Sequence, residues 1–478
     1  MPSRASALSS AQRHAVAELF RVAPVADELG RRFGAAGFAL YLVGGSVRDA
    51  LRGRLGDDLD FATDARPEQV LELVRRFGDA VWTTGIAFGT VGVARHGRRL
   101  EITTYRADRY DRVSRNPEVT YGDSLAEDLL RRDFTVNAMA VSVPDHEFAD
   151  PYGGLADLAS GVLRTPAAPE ESFADDPLRM LRAARFVAQL GVRPDEPTAT
   201  ALTAMSGQIE RIAVERVQTE LSKLIRSPNP AAGLAVMVDS GLADVVLPEL
   251  PAMQLEIDEH HQHKDVYAHS LTVLQQAIDL EEDGPDLVLR LAALLHDIGK
   301  PATRRHEPGG GVSFHHHEVV GARMARARLR ALRYPHHLID EVAQLVFLHL
   351  RFHGFGRGEW TDSAVRRYVT DAGPLLSRLH KLVRSDCTTR NLRRAEVLRR
   401  SYDELEERIA VLRQQEELDA IRPDLDGNEI MSILGIPPGP LVGRAYKHLL
   451  ALRMERGPMP HDEAVAELRR FAADNHMG

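Results

Sequence analysis

The stretch GDDLDFAT, residues 56–63, places two carboxylates, Asp58 and Asp60, on either side of one leucine. On a β-strand, residues i and i+2 point to the same side, so the two carboxylates converge while Leu59 faces the core. Two like charges at that separation repel each other unless a cation lies between them. Oxygen ligands suit Mg²⁺, which proteins usually hold through one or two carboxylates and substrate phosphates. The stretch therefore predicts a strand that carries a magnesium site.

A glycine turn precedes the acidic pair, in the sequence LYLVGGSVRDALRG of residues 40–53. Gly44 and Gly45 would let the backbone approach a phosphate closely, and the helix that follows adds donors and positive potential at its N-terminus. We expect Ser46 and Arg48 to face the same anion. The turn and the acidic pair together predict a two-metal phosphoryl-transfer site. The alternative is a solvated acidic turn in which the two glycines only form a bend.

The composition fits a chain of 478 residues folded as three or four domains. Cys387 is the only cysteine, which excludes an intramolecular disulfide and favours a reducing compartment. The first 20 residues contain no apolar signal segment, and no uncharged apolar run is long enough to span a bilayer. We therefore expect a cytoplasmic protein without membrane association. The net charge of −9 argues weakly against nucleic-acid binding, but arginine-rich stretches such as LRMLRAARF are compatible with a local basic face.

The pattern of apolar residues predicts an α+β fold with one small mixed sheet. The strand-like runs FALYLVGG, TVGVAR, RLEITTYR and NAMAVSV alternate with helical pieces between residues 38 and 150. From about residue 170 onward the helical period dominates and strand signals disappear. The remainder of the chain is therefore predicted to be all-α.

Several motifs occur in an order that resembles the class II nucleotidyltransferase superfamily, which holds the tRNA CCA-adding enzymes and bacterial poly(A) polymerases. They are LVGGSVRDALRG followed by DDLDFAT, then FGTVGV and LEITTYR, then DLLRRDFTVNAMA, DDPLRMLRAARF and ERIAVERVQTELSKL. The resemblance implies nucleotide transfer from CTP and ATP to the acceptor end of tRNA, with Mg²⁺ held by Asp58 and Asp60. The residues that it assigns to nucleotide binding are Gly44, Gly45, Ser46, Arg48, Arg132, Asp133, Asn137, Asp176, Arg179, Arg182 and Arg185.

Glu101, in the run RLEITTYR, is a candidate third catalytic carboxylate. From a strand it could reach the metal or polarise the hydroxyl of the primer. The alternative is a charged residue at a strand edge without a catalytic role.

The resemblance gives Asp176 and Arg179 the task of selecting the base. The carboxylate would accept from the exocyclic amino group of cytosine or adenine, and the guanidinium would donate to the ring acceptors. Guanine and uracil carry a carbonyl at that position, which leaves a polar group unpaired and is rejected strongly. From the sequence alone, Asp176 is also a helix N-cap before Pro177, and both roles can hold; Asp175 is an adjacent alternative.

Three activities compete on the sequence: CCA addition, poly(A) synthesis, and a hydrolase in the histidine-rich region as the main activity. The basic stretch typical of poly(A) polymerases does not follow the acidic pair. Residues 106–128 resemble the flexible loop that complete CCA enzymes keep and that enzymes adding only C lack. The alternative for that segment is a solvated surface loop.

The histidine-rich region resembles an HD phosphohydrolase domain, because VYAHSL, LLHDIGK, HHHEVVGARMA, FLHLRFH and VRSDC occur in the order H, HD, H, H, D. The ligands that the resemblance implies are His269, His296, Asp297, His317, His349 and Asp386. His315 and His316 are rivals for the place of His317. Imidazoles with carboxylates suit Mn²⁺, Ni²⁺, Fe²⁺ or Zn²⁺ better than Mg²⁺. The alternative is a remnant domain kept for its architecture.

With the resemblance, we expect five segments. They are an N-terminal helical segment at 1–37, a nucleotidyltransferase head at 38–160, a nucleotide-selecting helical neck at 161–255, an HD domain at 256–395 and a helical tRNA-binding tail at 396–478. No obligate protein partner is implied.

Overall fold

The structure is a computed structural model that describes residues 8–54, 56–106, 121–254, 265–308, 312–351, 361–387, 392–416 and 421–475. Its contacts divide the chain into two compact units, Met1–Leu247 and Pro248–Gly478. The first unit carries the main sheet, and the second is helical apart from one pair of two-residue strands. Residues 107–120, most of the predicted flexible loop, lie outside the described residues.

The main sheet contains seven strands. They are β1 (Leu40–Val43), β2 (Asp58–Thr63), β3 (Ala80–Trp82), β4 (Thr90–Arg95), β5 (Arg98–Thr104), β6 (Ala140–Ser142) and β7 (Phe148–Ala149). Their order across the sheet is β3-β4-β5-β2-β1-β6-β7. β2 and β5 run parallel, whereas the other neighbouring strands are antiparallel. The sheet is therefore mixed, with β2 at its centre.

The helices of the first unit precede, connect and follow these strands. They are α1 (Ser10–Val22), α2 (Pro24–Ala35), α3 (Gly45–Leu51), α4 (Pro67–Val74), α5 (Leu125–Leu130), α6 (Gly154–Ser160), α7 (Pro169–Asp175), α8 (Leu178–Leu190), α9 (Glu196–Met205), α10 (Val214–Ile225), α11 (Pro230–Asp239) and α12 (Leu242–Val246). The strands β8 (Val162–Leu163) and β9 (Arg193–Pro194) form a separate parallel pair. Short 3₁₀ turns occupy Ile86–Phe88, Thr135–Asn137 and Ser206–Arg211.

The core of the head joins the sheet to α1, α2 and α4. Phe33 of α2, Phe61 of β2 and Ile102 of β5 are fully buried members of this core. Along β2 the side chains alternate, so that Leu59 and Phe61 are buried while Asp58 and Asp60 are exposed. The period-two pattern of the sequence therefore fixes which residues reach the open face of the sheet.

In the helical part of the first unit, α8 packs against α10 and α11. The close approach of α11 requires Gly233, because a β-carbon there would lie 2.5 Å from the carbonyl oxygen of Ala184. The packing holds one face of α8 in the core and leaves its arginines near the segment that follows α5.

The second unit begins with a bundle of helices and ends with a small helical tail. Its elements are α13 (Glu249–Ala252), α14 (Val266–Asp279), α15 (Leu287–Leu295), α16 (Lys300–Thr303), β10 (Arg305–His306), β11 (Val312–Ser313), α17 (His317–Ala331), α18 (His336–Leu348), α19 (Asp362–Ala372), a 3₁₀ turn (Gly373–Leu375), α20 (Leu376–Ser385), α21 (Leu392–Glu416), α22 (Gly427–Leu434), α23 (Pro440–Arg456) and α24 (His461–Asp474). Helices α14, α15, α17, α18 and α20 pack on one another. The last three helices share a separate apolar core.

The predicted fold class is confirmed: a mixed sheet in the head is followed by a mostly helical remainder. The short pairs β8–β9 and β10–β11 were not predicted, because two-residue strands are too short to give a period-two signal. Within the described ranges, no helix combines the length and apolar character that crossing a bilayer requires.

Candidate active site and metal centre

Three carboxylates share the open face of the sheet. Asp58 and Asp60 lie on β2, and the parallel strand β5 places Glu101 directly opposite Asp60. All three side chains are exposed, whereas Leu59 and Leu100, which alternate with them, are buried. Since residues in register on neighbouring strands project from the same side, the sheet itself brings Glu101 to the acidic pair.

Loss of hydration and the neighbouring carboxylates make it harder for Asp60 to ionise, and the pKa of its carboxyl is raised. Its side chain is open to solvent, yet partial loss of hydration raises the pKa of its carboxyl. Arg132 opposes this rise, whereas Glu101 and Asp58 add to it. A divalent cation bound among these oxygens would relieve the repulsion, so the donor set fits such an ion.

The glycine turn lies beside the acidic pair and is fastened to it by a serine. Ser46, in the first turn of α3, donates from Oγ to the carbonyl oxygen of Asp58 at 3.3 Å and accepts from the backbone N–H of Asp60 at 3.2 Å. Gly44 has φ +70°, and a β-carbon there would lie 2.9 Å from Nη1 of Arg132. The glycine therefore leaves room for a cation next to the turn, while Gly45 begins the helix.

Arg48 is buried beside the glycine turn, where its Nη2 would lie 3.5 Å from a β-carbon at Gly45. It is 5% exposed and forms two hydrogen bonds of 2.8 Å with Asp49. Its Nη1 donates to Oδ1 of Asn137 at 2.6 Å. A buried guanidinium needs such partners because an unpaired buried charge is costly. A direct contact between Arg48 and nucleotide therefore stays a prediction.

Asp133 and Asn137 continue this buried network towards the neck. Asn137 Nδ2 donates to Oδ1 of Asp133 at 3.0 Å, and Arg182 Nε donates to Oδ2 of the same carboxylate at 2.8 Å. Burial alone would raise the pKa of Asp133, but Arg182, Asn137 and Arg179 outweigh it and hold that pKa well below the usual range. Asp133 is therefore a permanent buried anion that links the head to α8.

Glu220 of α10 closes the network and was not singled out from the sequence. It is buried, accepts from Arg185 Nε at 2.6 Å and lies 3.7 Å from Arg182. Glu220 falls within the run ERIAVERVQTELSKL, so the motif contained it, but its partners are distant in sequence. Arg182 and Arg185 thus both bind carboxylates of the protein in this structure.

Asp176 and Arg179 lie at the junction of α7 and α8. α8 begins at Leu178, and Oδ1 of Asp176 accepts from the backbone N–H of Leu178 at 3.2 Å. Its Oδ2 accepts from Arg216 of α10 at 2.8 Å. Arg179 donates to Oγ of Ser172 at 2.7 Å and to the carbonyl oxygen of Arg131 at 2.6 Å. The N-cap of α8 is therefore Pro177 and not Asp176 as the sequence suggested, and the Asp176 carboxylate accepts from the first backbone N–H of the helix from one residue further out.

The six residues of the predicted HD set converge in the second unit as two groups, and each group can offer a metal three ligand atoms within 4.8 Å of one another. One group is His269, His296 and Asp386, and the other is Asp297, His317 and His349. Asp297 lies between them: its Oδ2 is 3.1 Å from His296 Nε2, and its Oδ1 is 3.2 Å from His317 Nε2. The structure therefore places His317 in the cluster, whereas His315 and His316 are exposed.

The backbone orients three of these histidines. The Nδ1 atoms of His296, His317 and His349 lie 2.8, 2.8 and 2.6 Å from the carbonyl oxygens three residues earlier in each case. This contact directs each Nε2 towards Asp297. The Nε2 atoms of His317 and His349 are buried and make no hydrogen bond within the described part of the chain. Buried nitrogens without partners, facing a carboxylate, fit ligands of a metal ion.

The charge state of His349 fits the same interpretation, whereas the neighbouring carboxylates hold His296 in its protonated form. Burial and the neighbouring His296 lower the pKa of His349 to about 4, so its imidazole is neutral at pH 7 and can donate a lone pair. Burial would lower the pKa of His296 as well, but Asp297 and Asp386 raise it to about 10. Lys300, three residues after Asp297, contacts Asp297 Oδ2 at 2.6 Å and was not singled out from the sequence.

Three sequence families match the chain. Residues 40–164 match the "Poly A polymerase head domain", residues 191–253 the "Probable RNA and SrmB- binding site of polymerase A", and residues 266–378 the "HD domain". Proteins with a nucleotidyltransferase or an HD domain generally use divalent metals.

Two relatives align with almost the whole chain. The A-adding tRNA nucleotidyltransferase of Deinococcus radiodurans is 34% identical over 444 residues, covering 91% of this chain and 95% of the relative. The CC-adding tRNA nucleotidyltransferase of Thermus thermophilus is 34% identical over 439 residues, covering 90% and 92%. The CCA-adding enzyme of Lactiplantibacillus plantarum is 42% identical over 209 residues, which span 44% of this chain and half of that enzyme.

Solved structures share the fold along the chain. A Bacillus stearothermophilus CCA-adding enzyme in complex with CTP has a TM-score of 0.69 at 23% identity and covers 98% of this chain and 99% of its own. A Thermotoga maritima CCA-adding enzyme complexed with tRNA has a TM-score of 0.60 at 18% identity, covering 96% and 98%. With the sequence relatives, they confirm the resemblance drawn from the motifs: the chain is a nucleotidyltransferase and belongs to the tRNA nucleotidyltransferase family that carries the poly(A) polymerase head domain.

Proposed function

We propose that the chain adds C, C and A to the 3′ end of tRNA from CTP and ATP, without a nucleic-acid template, in the cytoplasm. The observation that carries the proposal is the convergence of Asp58, Asp60 and Glu101 on one face of the sheet, next to Ser46 and the glycine turn. Asp58 and Asp60 would hold Mg²⁺. When bound there, Mg²⁺ would favour the attacking form of the RNA 3′ hydroxyl and neutralise the triphosphate.

Base selection is assigned to Asp176 and Arg179. An ionised carboxylate has about four acceptor positions, so Asp176 can accept from an exocyclic amino group while it still binds Leu178 and Arg216. In the same way, the guanidinium of Arg179 has donors besides those given to Ser172 and Arg131. The pair then rejects UTP and GTP by leaving polar groups unpaired.

The buried network from Arg48 through Asp133 to Arg182 would support both tasks. It joins α3, which fastens the acidic strand, to α8, which carries Arg179. In this proposal Arg132 is the cation nearest the glycine turn and would contact the triphosphate.

Specific observations also support two partial reactions, addition of A alone and addition of CC alone. The relatives that align with nine-tenths of this chain are named as A-adding and CC-adding enzymes, so the chain could perform one part of the reaction. We favour complete addition because residues 106–128 resemble the loop that enzymes adding only C lack. Poly(A) synthesis remains the further alternative.

The test uses three transcripts of one tRNA, ending at the nucleotide before CCA, after CC, and after C. Each is incubated with Mg²⁺ and with CTP, ATP, UTP or GTP alone and then with CTP and ATP together. Complete addition extends the first transcript by three nucleotides only when both triphosphates are present. If only the transcript ending in CC is extended, the chain is an A-adding enzyme. If addition stops after CC, it is a CC-adding enzyme, and long A tails identify a poly(A) polymerase.

For the second unit we propose metal-dependent hydrolysis of a small phosphoester, with a 2′,3′-cyclic phosphate as the candidate substrate. His269, His296 and Asp386 would hold one ion and Asp297, His317 and His349 a second, with Mn²⁺, Ni²⁺, Fe²⁺ or Zn²⁺ as candidates. Ions bound there would generate a water nucleophile at neutral pH. The test is elemental analysis and phosphoester hydrolysis by the wild type and the His296→Ala/Asp297→Ala double variant. Absence of a transition metal and of hydrolysis above the double variant would leave the domain with a structural role.

A further inference from the structure

A row of cross-strand neighbours leads away from the acidic site along the sheet. Asp60 lies opposite Glu101, Glu101 opposite Gly92 of β4, and Gly92 opposite Trp82 of β3. Residues in one such row project from the same face of the sheet. Trp82 is therefore on the carboxylate face, at the edge strand.

The indole of Trp82 lies over the position of Gly92. A β-carbon at Gly92 would be only 2.0 Å from Cε2 and Nε1 of the indole. Because strands are spaced roughly 4.8 Å apart, the ring covers the sheet about two strands, or roughly 10 Å, from Asp60. That distance is on the scale of one or two nucleotides of single-stranded RNA.

An arginine accompanies the indole on this face. Arg99 lies opposite Asp58 on β5, and its Cζ is 5.3 Å from the centre of the Trp82 ring. The Arg99 side chain is exposed, and among the described residues no carboxylate pairs with it. Covering a glycine can by itself stabilise a sheet, which would explain the contact with Gly92. It does not explain why an exposed arginine, which has no carboxylate partner in the described ranges, lies next to the ring.

The order of the strands decides which substrate this surface fits. Trp82 and Arg99 lie on the β5 side of the acidic pair, whereas Gly44 and Ser46 follow β1 on its other side. In phosphoryl transfer the attacking and leaving oxygens lie roughly in line across the metals. If the triphosphate occupies the glycine turn, the attacking hydroxyl must come from the side of Trp82.

We propose that Trp82 and Arg99 form an RNA-binding surface for the single-stranded 3′ end of the acceptor. A base of the primer stacks on the indole, and the Arg99 guanidinium contacts a backbone phosphate. This is the combination of aromatic platform and cation by which proteins hold single-stranded RNA. The proposal rests on the proposed function, since it assigns the primer side of the same site.

The first experiment compares two substitutions that both keep an apolar side chain over Gly92. Trp82→Leu removes the stacking ring, and Trp82→Phe keeps one. We expect Trp82→Leu to raise the KM for tRNA about tenfold, with the KM for CTP within about twofold of wild type, and Trp82→Phe to stay close to wild type. Equal tRNA KM values for wild type and Trp82→Leu, or equal rises in both variants, would overturn the proposal.

The second experiment tests Arg99 through salt dependence of tRNA binding. Arg99→Gln should reduce the slope of log Kd against log salt by about one, whereas Arg99→Lys keeps the charge and the slope. If the slope for Arg99→Gln equals that of wild type, Arg99 does not contact a phosphate of the RNA and is not part of the proposed surface.

A fluorescence titration separates this proposal from the proposed function. The chain has two tryptophans, so a Trp360→Phe background leaves Trp82 as the single reporter. Quenching by a tRNA without CCA, and none by the same tRNA with a 3′ hairpin that blocks the single strand, supports the surface even if no nucleotide is added. Addition of CCA without any quenching overturns the surface and leaves the proposed function intact.

Discussion

Arg182 of α8 donates from both Nε and Nη2 to one oxygen of Asp133, and this double contact joins the helical neck to the head. The other oxygen of Asp133 accepts from Asn137 and from the backbone N–H of Phe134. The carboxylate is therefore fully used by the protein, and it fixes the position of α8 relative to the acidic strand.

Asp133→Asn should lower the melting temperature at pH 7, because it removes the charged partner of the partly buried Arg182, at a cost of about 1–3 kcal/mol. The pKa of Asp133 is lowered in the folded state, so its stabilisation is present above the unfolded pKa of about 3.9 and declines as the pH falls below it. Melting curves from pH 7 to pH 3 should show the gap between variant and wild type narrowing below about pH 4. A gap that does not change with pH would contradict this account.

Asp58→Ala and Asp60→Ala should each reduce nucleotide addition by about a thousandfold or more, since a bound metal supplies several kcal/mol of transition-state stabilisation. Neither should lower the melting temperature, because each relieves repulsion on the sheet. The matched control is Asp57→Ala, which removes an adjacent, largely exposed carboxylate outside the pair. Near-normal turnover of either active-site variant with Mg²⁺ would refute the two-metal proposal.

Glu101→Gln should lower kcat at least about tenfold if this carboxylate reaches the metal or the primer hydroxyl. The change also removes one of the charges that raise the pKa of Asp60, so the acid limb of the pH–rate profile should move to lower pH. Both effects are read from kcat measured between pH 5 and pH 9. An unchanged profile would make Glu101 an ordinary surface residue of the strand.

Asp176→Ala and Arg179→Ala should broaden nucleotide choice more than they slow addition of C. Asp176→Ala also removes the hydrogen bond to the backbone N–H of Leu178, at a cost of about 1 kcal/mol. Arg216→Gln is the control, because it breaks the ion pair with Asp176 but leaves the carboxylate in place. Misincorporation of U and G is measured for all three. If the Asp176 and Arg179 variants reject UTP and GTP as wild type does, Asp176 only stabilises the start of the helix.

Asp297→Asn should lower the transition-metal content of both groups, because its carboxylate belongs to one group and lies 3.1 Å from His296 of the other, whereas His349→Ala should affect chiefly its own group. Elemental analysis gives the metal content, and nucleotide addition to tRNA serves as an internal control that should not change. His316→Ala is the matched histidine control, since that side chain is exposed. Equal metal content in all variants would argue against a metal centre here.

The sequence alone was sufficient to predict those parts of the structure that depend on local periodicity. The alternation of Asp58, Leu59 and Asp60 gave the correct face for each side chain, and the glycine turn gave the start of α3. Glu101 could be named but not placed, because its position opposite Asp60 depends on strand register between segments about forty residues apart.

Partners that are distant in sequence account for the rest. Arg48 was predicted to face an anion because it follows the glycine turn, but its hydrogen bond to Asn137 could not be predicted, since the two residues are 89 positions apart. Glu220 and Trp82 carry no local signal of the neighbours that they contact. Those contacts form only when α10 reaches α8 and when β3 reaches the carboxylate face.

The parallel pairing of β2 with β5 has a consequence for the order in which the head folds. β1 and β2 form one local piece and β3, β4 and β5 form another, whereas the pairing of β2 with β5 joins the two. Asp60 lies in the first piece and Glu101 lies opposite it in the second. Contacts between distant segments are slow to form because they close a long loop. A growing chain on the ribosome therefore holds both aspartates long before it holds the third carboxylate beside them, and the catalytic face is completed only when the second piece docks.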